Sequence, residues 1–162
     1  MKWVTREKAR VDRIACPWLI GRFIDREPVF RFVPAAEVMA VAARDQAIPY
    51  DVPDVELGHH GDRCSFDAFL EKYELDDPAL SVLALIVRGA DTDQRMLMPE
   101  SPGLYALATG FQAISKDDVE NMARQFPAYD ALNAYCRAKN SGTRPPRDRR
   151  SSSRTSPIII SM

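Results

Sequence analysis

The sequence predicts an α+β fold, in which a small β-sheet is packed with five or six helices and the C-terminal half is rich in helix. Three observations support this prediction. Short strand-type segments lie in the first third of the chain, apolar residues recur at helical spacing from Ser65 onward, and proline or capping residues precede most helical patterns. Hydrophobic residues make up 46% of the 162 residues, which is enough for a packed core.

Three short segments in the front part of the chain favour strands. Residues 2–5 (KWVT) are expected to turn Trp3 toward the core, residues 29–33 (VFRFV) alternate around Arg31, and residues 48–52 (IPYDV) contain Pro49. Because proline has no backbone N–H to donate, the third strand is expected at an edge of the sheet.

Two helices are predicted in the same part of the chain. Proline is favoured at the first position of a helix, so we expect the first helix to begin at Pro17, after a polar connection over residues 6–13. This start would place Cys16 at or beside the N-cap. The Ala-rich residues 35–44 predict a second, short helix.

The remaining residues are expected to form further helices. Their starts are predicted at Ser65, at Asp77-Pro78, at Ser101-Pro102 and at the segment 115–118, which resembles a capping box. Gly89 is expected to end its helix as the residue after the C-cap. Pro127 is expected to kink or split the last helix.

We expect one folded domain, residues 1–140, followed by a disordered tail, residues 141–162, whose Ser, Arg and Pro cannot bury a core. The sequence has no run of 18 or more apolar residues, so a membrane span is not expected. The three cysteines are an odd number at wide spacing, and the N-terminal residues lack the apolar stretch of a secretory signal. Both features favour the cytoplasm.

The formal net charge of −1 conceals an uneven distribution. Residues 1–31 carry a balance of +4, residues 32–140 a balance of −9 and residues 141–162 a balance of +4. A basic front on an acidic body can attract a small anion, and a merely solvated basic face explains the same pattern.

Both histidines of the chain, His59 and His60, lie in one loop ahead of a predicted helix, close to Cys64 and Asp67. Imidazole, thiolate and carboxylate groups are ligands for Zn²⁺ and similar transition metals. We therefore take His59, His60, Cys64 and Asp67 as candidate ligands of one transition-metal ion, with only one of the adjacent histidines bound to it. The open alternative is a polar loop whose histidines bond to the backbone.

Cys16 and Cys64 are both expected at helix N-termini, where free N–H groups and a partial positive charge lower a thiol pKa and attract anions. They are the candidate reactive thiols, and Arg13, Arg22 and Arg88 are the candidate oxyanion ligands if the two loops meet. Two alternatives stay open: the cysteines are small buried hydrophobes, and Arg88 forms a structural ion pair with the nearby Asp91.

A binding and sensing domain is favoured over an enzyme. The sequence holds a possible Cys–His nucleophilic pair, but it shows no orienting Asn or Asp at a recognisable position. Phosphate-loop and dinucleotide-binding signatures are absent from the sequence, so no nucleotide cofactor is expected.

Several long motifs resemble one known family, the C-terminal domain of the chromate resistance protein ChrB, over residues 1–140. The motifs are KWVTRE, DRIACPWLIGRFID, VELGHHGDRCSFDAFLEKYELDDPAL, LALIVRGADT and YDALNAYCR. The matching positions are Asp12, Arg13, Cys16, Pro17, Trp18, Gly58, His59, His60, Gly61, Cys64, Phe66, Asp67, Arg88, Gly89 and Asp91. The chain departs from the family pattern at Val119, where many members carry histidine after the paired aspartates.

The resemblance implies a cytoplasmic domain that takes part in chromate sensing or regulation by binding chromate or a related oxyanion, a metal ion, or both. It leaves open a thiol-dependent enzyme, a chromate reductase or sulfur-transfer type, that uses Cys64 or Cys16. Reduced chromium would prefer carboxylates such as Asp62, Asp67 or Asp91. We expect no nucleic-acid partner, because the body is acidic and the N-terminal regulatory domain of full-length members is not part of this sequence. A homodimer is compatible with the sequence.

Overall fold

The computed structural model describes residues 1–142. The predicted tail, apart from its first two residues, lies outside the described residues. A three-stranded sheet contains β1 (Lys2–Arg6), β2 (Val29–Val33) and β3 (Ile48–Pro49), in the order β2-β1-β3 with both pairs parallel. The three predicted strands are confirmed, although the third is shorter than expected. Pro49 lies in an edge strand, as its missing N–H requires.

Six α-helices complete the described part of the fold and confirm the predicted α+β class. They are α1 (Val11–Leu19), α2 (Val38–Asp45), α3 (Ser65–Lys72), α4 (Pro78–Asp91), α5 (Ser101–Ile114) and α6 (Asp118–Asn140). The chain continues from α1 as a π-helical turn over Ile20–Ile24, and a 3₁₀ turn over Ala35–Glu37 leads into α2. None of the helices within residues 1–142 is both long enough and apolar enough to cross a bilayer.

The prediction that the first helix begins at Pro17 is wrong. Helix α1 begins at Val11 and contains Pro17, so Cys16 lies inside the helix rather than at its N-terminus. Burial explains the earlier start, because every residue of α1 except Arg13 is buried, including Val11, Ile14 and Trp18. Burying these side chains outweighs the one backbone hydrogen bond that proline removes.

Two other helix boundaries differ from expectation. Gly89 does not end α4, which continues to Asp91. Instead, Gly89 gives α5 room, because a Cβ at this position would lie 2.8 Å from the Cβ of Ser101. Pro127 does not split α6, which is one helix of 23 residues with Gln125 and Tyr129 buried on either side of the proline.

One main hydrophobic core joins the sheet to the helices. Trp3 of β1 packs on Phe69 of α3 with ring centroids 5.8 Å apart, and Trp18 of α1 stacks on Tyr129 of α6 at 6.0 Å. Around this core, the start of α1, the segment after β3, the loop before α3 and the end of α4 lie next to one another. The candidate site forms where these four segments meet.

Candidate functional site

Four side chains from four segments of the chain converge at one point. They are Asp12 near the start of α1, Asp51 after β3, His59 in the loop before α3, and Asp91 at the end of α4. One potential ligand atom from each residue lies within 4.8 Å of the others. Asp12 and Asp51 are buried, Asp91 is half-buried and His59 is exposed on one side.

The carboxylates are positioned by hydrogen bonds to helix starts. Asp12 accepts from the backbone N–H groups of Ser65 at 2.6 Å and Phe66 at 3.3 Å, which lie at the N-terminus of α3. Asp91 accepts from the N–H of Asp12 at 3.1 Å, and Asp51 accepts from the Ser65 hydroxyl at 3.0 Å. Each carboxylate is therefore held by a segment other than its own.

His59 reaches this cluster because Gly58 allows its loop to fold tightly. A Cβ on Gly58 would lie 2.7 Å from the backbone oxygen of Val52, so only glycine lets the loop pack this closely on the segment after β3. The backbone N–H of Asp51 also donates to the carbonyl of Leu57 at 2.9 Å. These contacts set His59 against Asp51.

The imidazole Nε2 of His59 lies close to three carboxylates. It is 3.0 Å from Asp91 Oδ2, 3.2 Å from Asp51 Oδ1 and 3.5 Å from Asp12 Oδ2. A single N–H on Nε2 can donate well to only one of these oxygens. Ligand bonds of about 2.1 Å to a shared metal ion would separate neighbouring donor atoms by similar distances. A bound cation would therefore contact all four side chains, whereas the single Nε2–H of His59 can donate to only one of the three carboxylates.

Asp12 and His59, which contact each other in the cluster, both have raised pKa values. Burial and then the charge of Asp91 raise the pKa of Asp12 to about 7. Hydrogen bonds to Asp12, Asp51 and Asp91 raise the pKa of His59. Without a metal ion, bound protons offset the carboxylate charges, and a cation that binds here must displace them.

These pKa shifts predict that the metal-free protein loses stability as the pH rises. Both groups have folded pKa values above their unfolded values, so the folded state binds more protons than the unfolded state from about pH 4 upward. Urea unfolding with chelator should therefore give a free energy of unfolding that falls between about pH 5 and about pH 8. Aspartates whose pKa is lowered, such as Asp25 and Asp130, titrate below this range in both states. A constant or rising stability would contradict the proposed cluster of proton-binding groups.

A cavity of about 310 Å³ opens over the cluster. Its floor includes Asp51, His59 and Asp91, and four arginines line it: Arg6, Arg10, Arg13 and Arg95. Arg13 Nε lies 3.3 Å and Arg6 Nη2 3.4 Å from Asp51. The cavity thus combines a carboxylate–imidazole floor with a cationic rim.

The other predicted metal ligands lie outside the cluster. His60 Nε2 is 2.8 Å from the carbonyl oxygen of Glu56. The Cys64 thiol donates to Asp67 at 3.5 Å, and Asp67 forms a two-bond ion pair with Arg88 at 2.8 and 3.0 Å. Of the four candidates, His59 alone belongs to the group of converging ligands found in the described part of the chain.

The three predicted oxyanion ligands are not brought together. Arg13 lines the cavity, whereas Arg22 pairs with Asp130 at 3.0 Å on another surface. Arg88 pairs with Asp67 and not with Asp91, so the expected Arg88–Asp91 ion pair is wrong. The partner of Asp91 is instead His59.

The thiols are buried and protonated. Cys16 and Cys64 are both fully buried, and burial, reinforced by nearby carboxylates, raises the pKa of each thiol. Cys64 lies at the N-terminus of α3, as expected, and is its N-cap in place of Ser65, but burial overrides the effect of the helix N-terminus. Cys136 is also buried, which agrees with a structural role.

Sequence reasoning missed Asp12 and Asp51 as members of the site and named Asp91 only as a ligand for a hard cation. One signal was present: Asp51 stands directly between the buried residues Tyr50 and Val52, and Asp12 follows the buried Val11. An aspartate among buried apolar residues needs a partner or a ligand. Which aspartates share a partner depends on how the four segments meet.

Comparisons with known proteins agree with the resemblance. The family model described as "ChrB, C-terminal domain" matches residues 3–136. Over 118 residues the chain is 32% identical to Protein ChrB of Cupriavidus metallidurans, which covers 72% of this chain and 35% of that protein. The chain thus spans about a third of the length of this relative, and no solved structure matches it. All four residues of the cluster lie within the matched range, and the chain belongs to the ChrB C-terminal domain family.

Proposed function

We propose that this domain acts in chromate sensing or regulation by binding a divalent transition-metal ion through Asp12, Asp51, His59 and Asp91, with chromate or a related oxyanion beside it. The observation that carries the proposal is the crowding of three carboxylates around one imidazole nitrogen, at 3.0 to 3.5 Å. A buried cluster of this kind is costly unless a cation is bound.

The donor set indicates the kind of metal. Three carboxylates and one imidazole suit a first-row divalent ion such as Mn²⁺, Fe²⁺ or Zn²⁺ and offer no thiolate to select a softer ion. Such an ion, when bound, supplies a Lewis-acidic centre that can take an oxygen ligand. The protein would supply the arginine-lined cavity in front of it.

Chromate is the proposed oxyanion because the chain belongs to the ChrB family, and binding is the proposed activity. A thiol-dependent enzyme is not supported by the positions of the cysteines. Cys16 and Cys64 are fully buried with raised pKa values, so neither is a ready nucleophile at neutral pH. The geometry therefore favours binding through carboxylates, His59 and arginines over thiol chemistry.

The two adjacent histidines offer a matched test. His59→Ala is expected to abolish retention of the metal ion, because it removes the only nitrogen donor of the cluster, whereas His60→Ala is expected to leave it unchanged. Elemental mass spectrometry on protein purified without chelator, followed by reconstitution with Mn²⁺, Fe²⁺ or Zn²⁺, measures this directly. We expect about one ion per chain in the wild type.

Two outcomes would overturn the metal site. One is a wild-type protein that holds no ion after reconstitution. The other is loss of the ion in His60→Ala but not in His59→Ala, which would move the site to the opposite side of the loop. Circular dichroism on both variants separates loss of the ligand from loss of the fold.

A further inference from the structure

The rim of the cavity carries more positive charge than its neighbours neutralise. Arg6 and Arg13 share the single carboxylate of Asp51. Within residues 1–142, neither Arg10 nor Arg95 has a carboxylate partner, although both line the cavity. Two arginines that line the same cavity therefore have no carboxylate partner in the described part of the protein.

Two of the four arginines are held in place by contacts with uncharged groups. Arg95 donates to the backbone oxygen of Ala90, and its guanidinium carbon lies 3.7 Å from the centre of the Tyr105 ring. Stacking on an aromatic face orients the guanidinium plane without neutralising it. Arg13 donates to the carbonyls of Arg6 and Glu7 at 3.3 and 2.9 Å. These groups are pre-organised for a ligand.

The charge of the filled site determines the class of ligand. When a divalent ion is bound and His59 is neutral, the three carboxylates of the cluster retain a single negative charge, which the four arginines of the cavity outweigh. Arginine forks match the oxygens of tetrahedral anions, and two or more of them favour a dianion over a monoanion. The cavity of about 310 Å³ has room for such an anion beside a metal ion.

We propose that Arg10 and Arg95 are the specificity-determining residues of this cavity and that they select a tetrahedral dianion, which they hold against the open side of the metal ion. This inference rests on the proposed function for the position of the metal, and it replaces the arginine set expected from the sequence. Arg6 and Arg13 add positive charge to the same cavity, but they also pair with the metal ligand Asp51. Substitution of Arg10 or Arg95 therefore tests anion binding without disturbing that ligand.

Sodium molybdate is a suitable probe, because it is a tetrahedral dianion that does not oxidise thiols as chromate does. Titration calorimetry on metal-loaded protein is expected to show that Arg10→Gln and Arg95→Gln each weaken molybdate binding by about tenfold or more, equivalent to about 1.4 kcal/mol. Sodium nitrate, a planar monoanion, is expected to bind more weakly than molybdate to the wild type.

Arg22→Gln is the matched control. It removes the same charge from the chain, but Arg22 pairs with Asp130 and does not line the cavity, so molybdate binding should change less than about twofold. Equal weakening in Arg22→Gln and Arg10→Gln would show a nonspecific charge effect and overturn the proposal. Absence of molybdate binding by the wild type would overturn it as well.

Metal content measured on the same samples separates this inference from the proposed function. If the protein takes up no metal on reconstitution but still binds molybdate through Arg10 and Arg95, the metal site is refuted and the anion site is supported. If the protein holds one ion per chain but neither Arg10→Gln nor Arg95→Gln changes its molybdate affinity, the metal site is supported and the anion site is refuted.

Discussion

Asp91→Asn is expected to weaken binding of a divalent ion by at least about 100-fold while changing the stability of the metal-free protein little. The amide keeps the shape of the carboxylate and one of its hydrogen bonds. Its oxygen can still accept from the N–H of Asp12, as Asp91 does at 3.1 Å. What the variant lacks is the negative charge.

Removing that charge weakens metal binding because the ion loses an anionic ligand. In the metal-free protein two effects oppose each other. The repulsion that, after burial, is the main cause of the raised pKa of Asp12 is relieved. One of the three hydrogen bonds that raise the pKa of His59 is weakened at the same time, so the net change in stability is expected to be small.

Competition with a metallochromic chelator measures the affinity, and urea unfolding at about pH 8 with chelator measures the stability. The control is Asp93→Asn, because Asp93 is exposed, two residues away and outside the cluster. Its metal affinity should equal that of the wild type. If Asp91→Asn and Asp93→Asn bound the ion equally well, Asp91 would not be a ligand.

Gly89→Ala is expected to lower the free energy of unfolding by about 1–3 kcal/mol or more. The new Cβ would lie 2.8 Å from Ser101 Cβ, closer still to Ser101 Oγ, and 3.1 Å from the backbone oxygen of Gln94. Ser101 is fully buried and donates from its hydroxyl to the carbonyl of Ile86 at 2.9 Å, so it cannot move away freely. The helices α4 and α5 must therefore separate.

Gly110→Ala is the matched control, since a Cβ at this position in α5 meets nothing within 4 Å. This change should raise stability by about 0.5–1 kcal/mol through the better helix propensity of alanine. Chemical denaturation of both variants provides the comparison. Equal stabilisation by the two substitutions would contradict the close contact between α4 and α5.

Metal affinity gives a second measure of the Gly89→Ala change. Asp91 lies two residues after Gly89 at the end of α4, so a displaced helix end should also weaken binding of the ion. Gly110→Ala should leave metal affinity unchanged, because Gly110 lies in α5 and outside the cluster.

Local patterns predicted most of the secondary structure. The strands around Trp3 and Phe30 follow from their residue types, and the starts of α4 and α6 follow from capping by Asp77 and Asp117. Local patterns were misleading where packing opposed them. Proline is favoured at the start of a helix, but the buried residues on either side of Pro17 extend α1 from Val11 to Leu19.

The site was predicted only in part, because its members are distant in sequence. His59 was recognisable as one of only two histidines, and it lies in the loop before α3 that the sequence indicated as the candidate site. The choice between His59 and His60 was not possible from the sequence, since the two are adjacent and chemically identical. Tertiary structure separates them: one faces three carboxylates, and the other contacts the carbonyl of Glu56.

The sequence by itself determined the α+β class, most helix starts, the family and the loop that carries the histidines, because these depend on local residue patterns or on long motifs. Only the tertiary structure decided which charged groups share a site. Asp12, Asp51 and Asp91 come together because α1, the segment after β3 and α4 pack around one core. The same packing buries Cys16 and Cys64, and desolvation then disfavours the thiolates that their local sequence suggested.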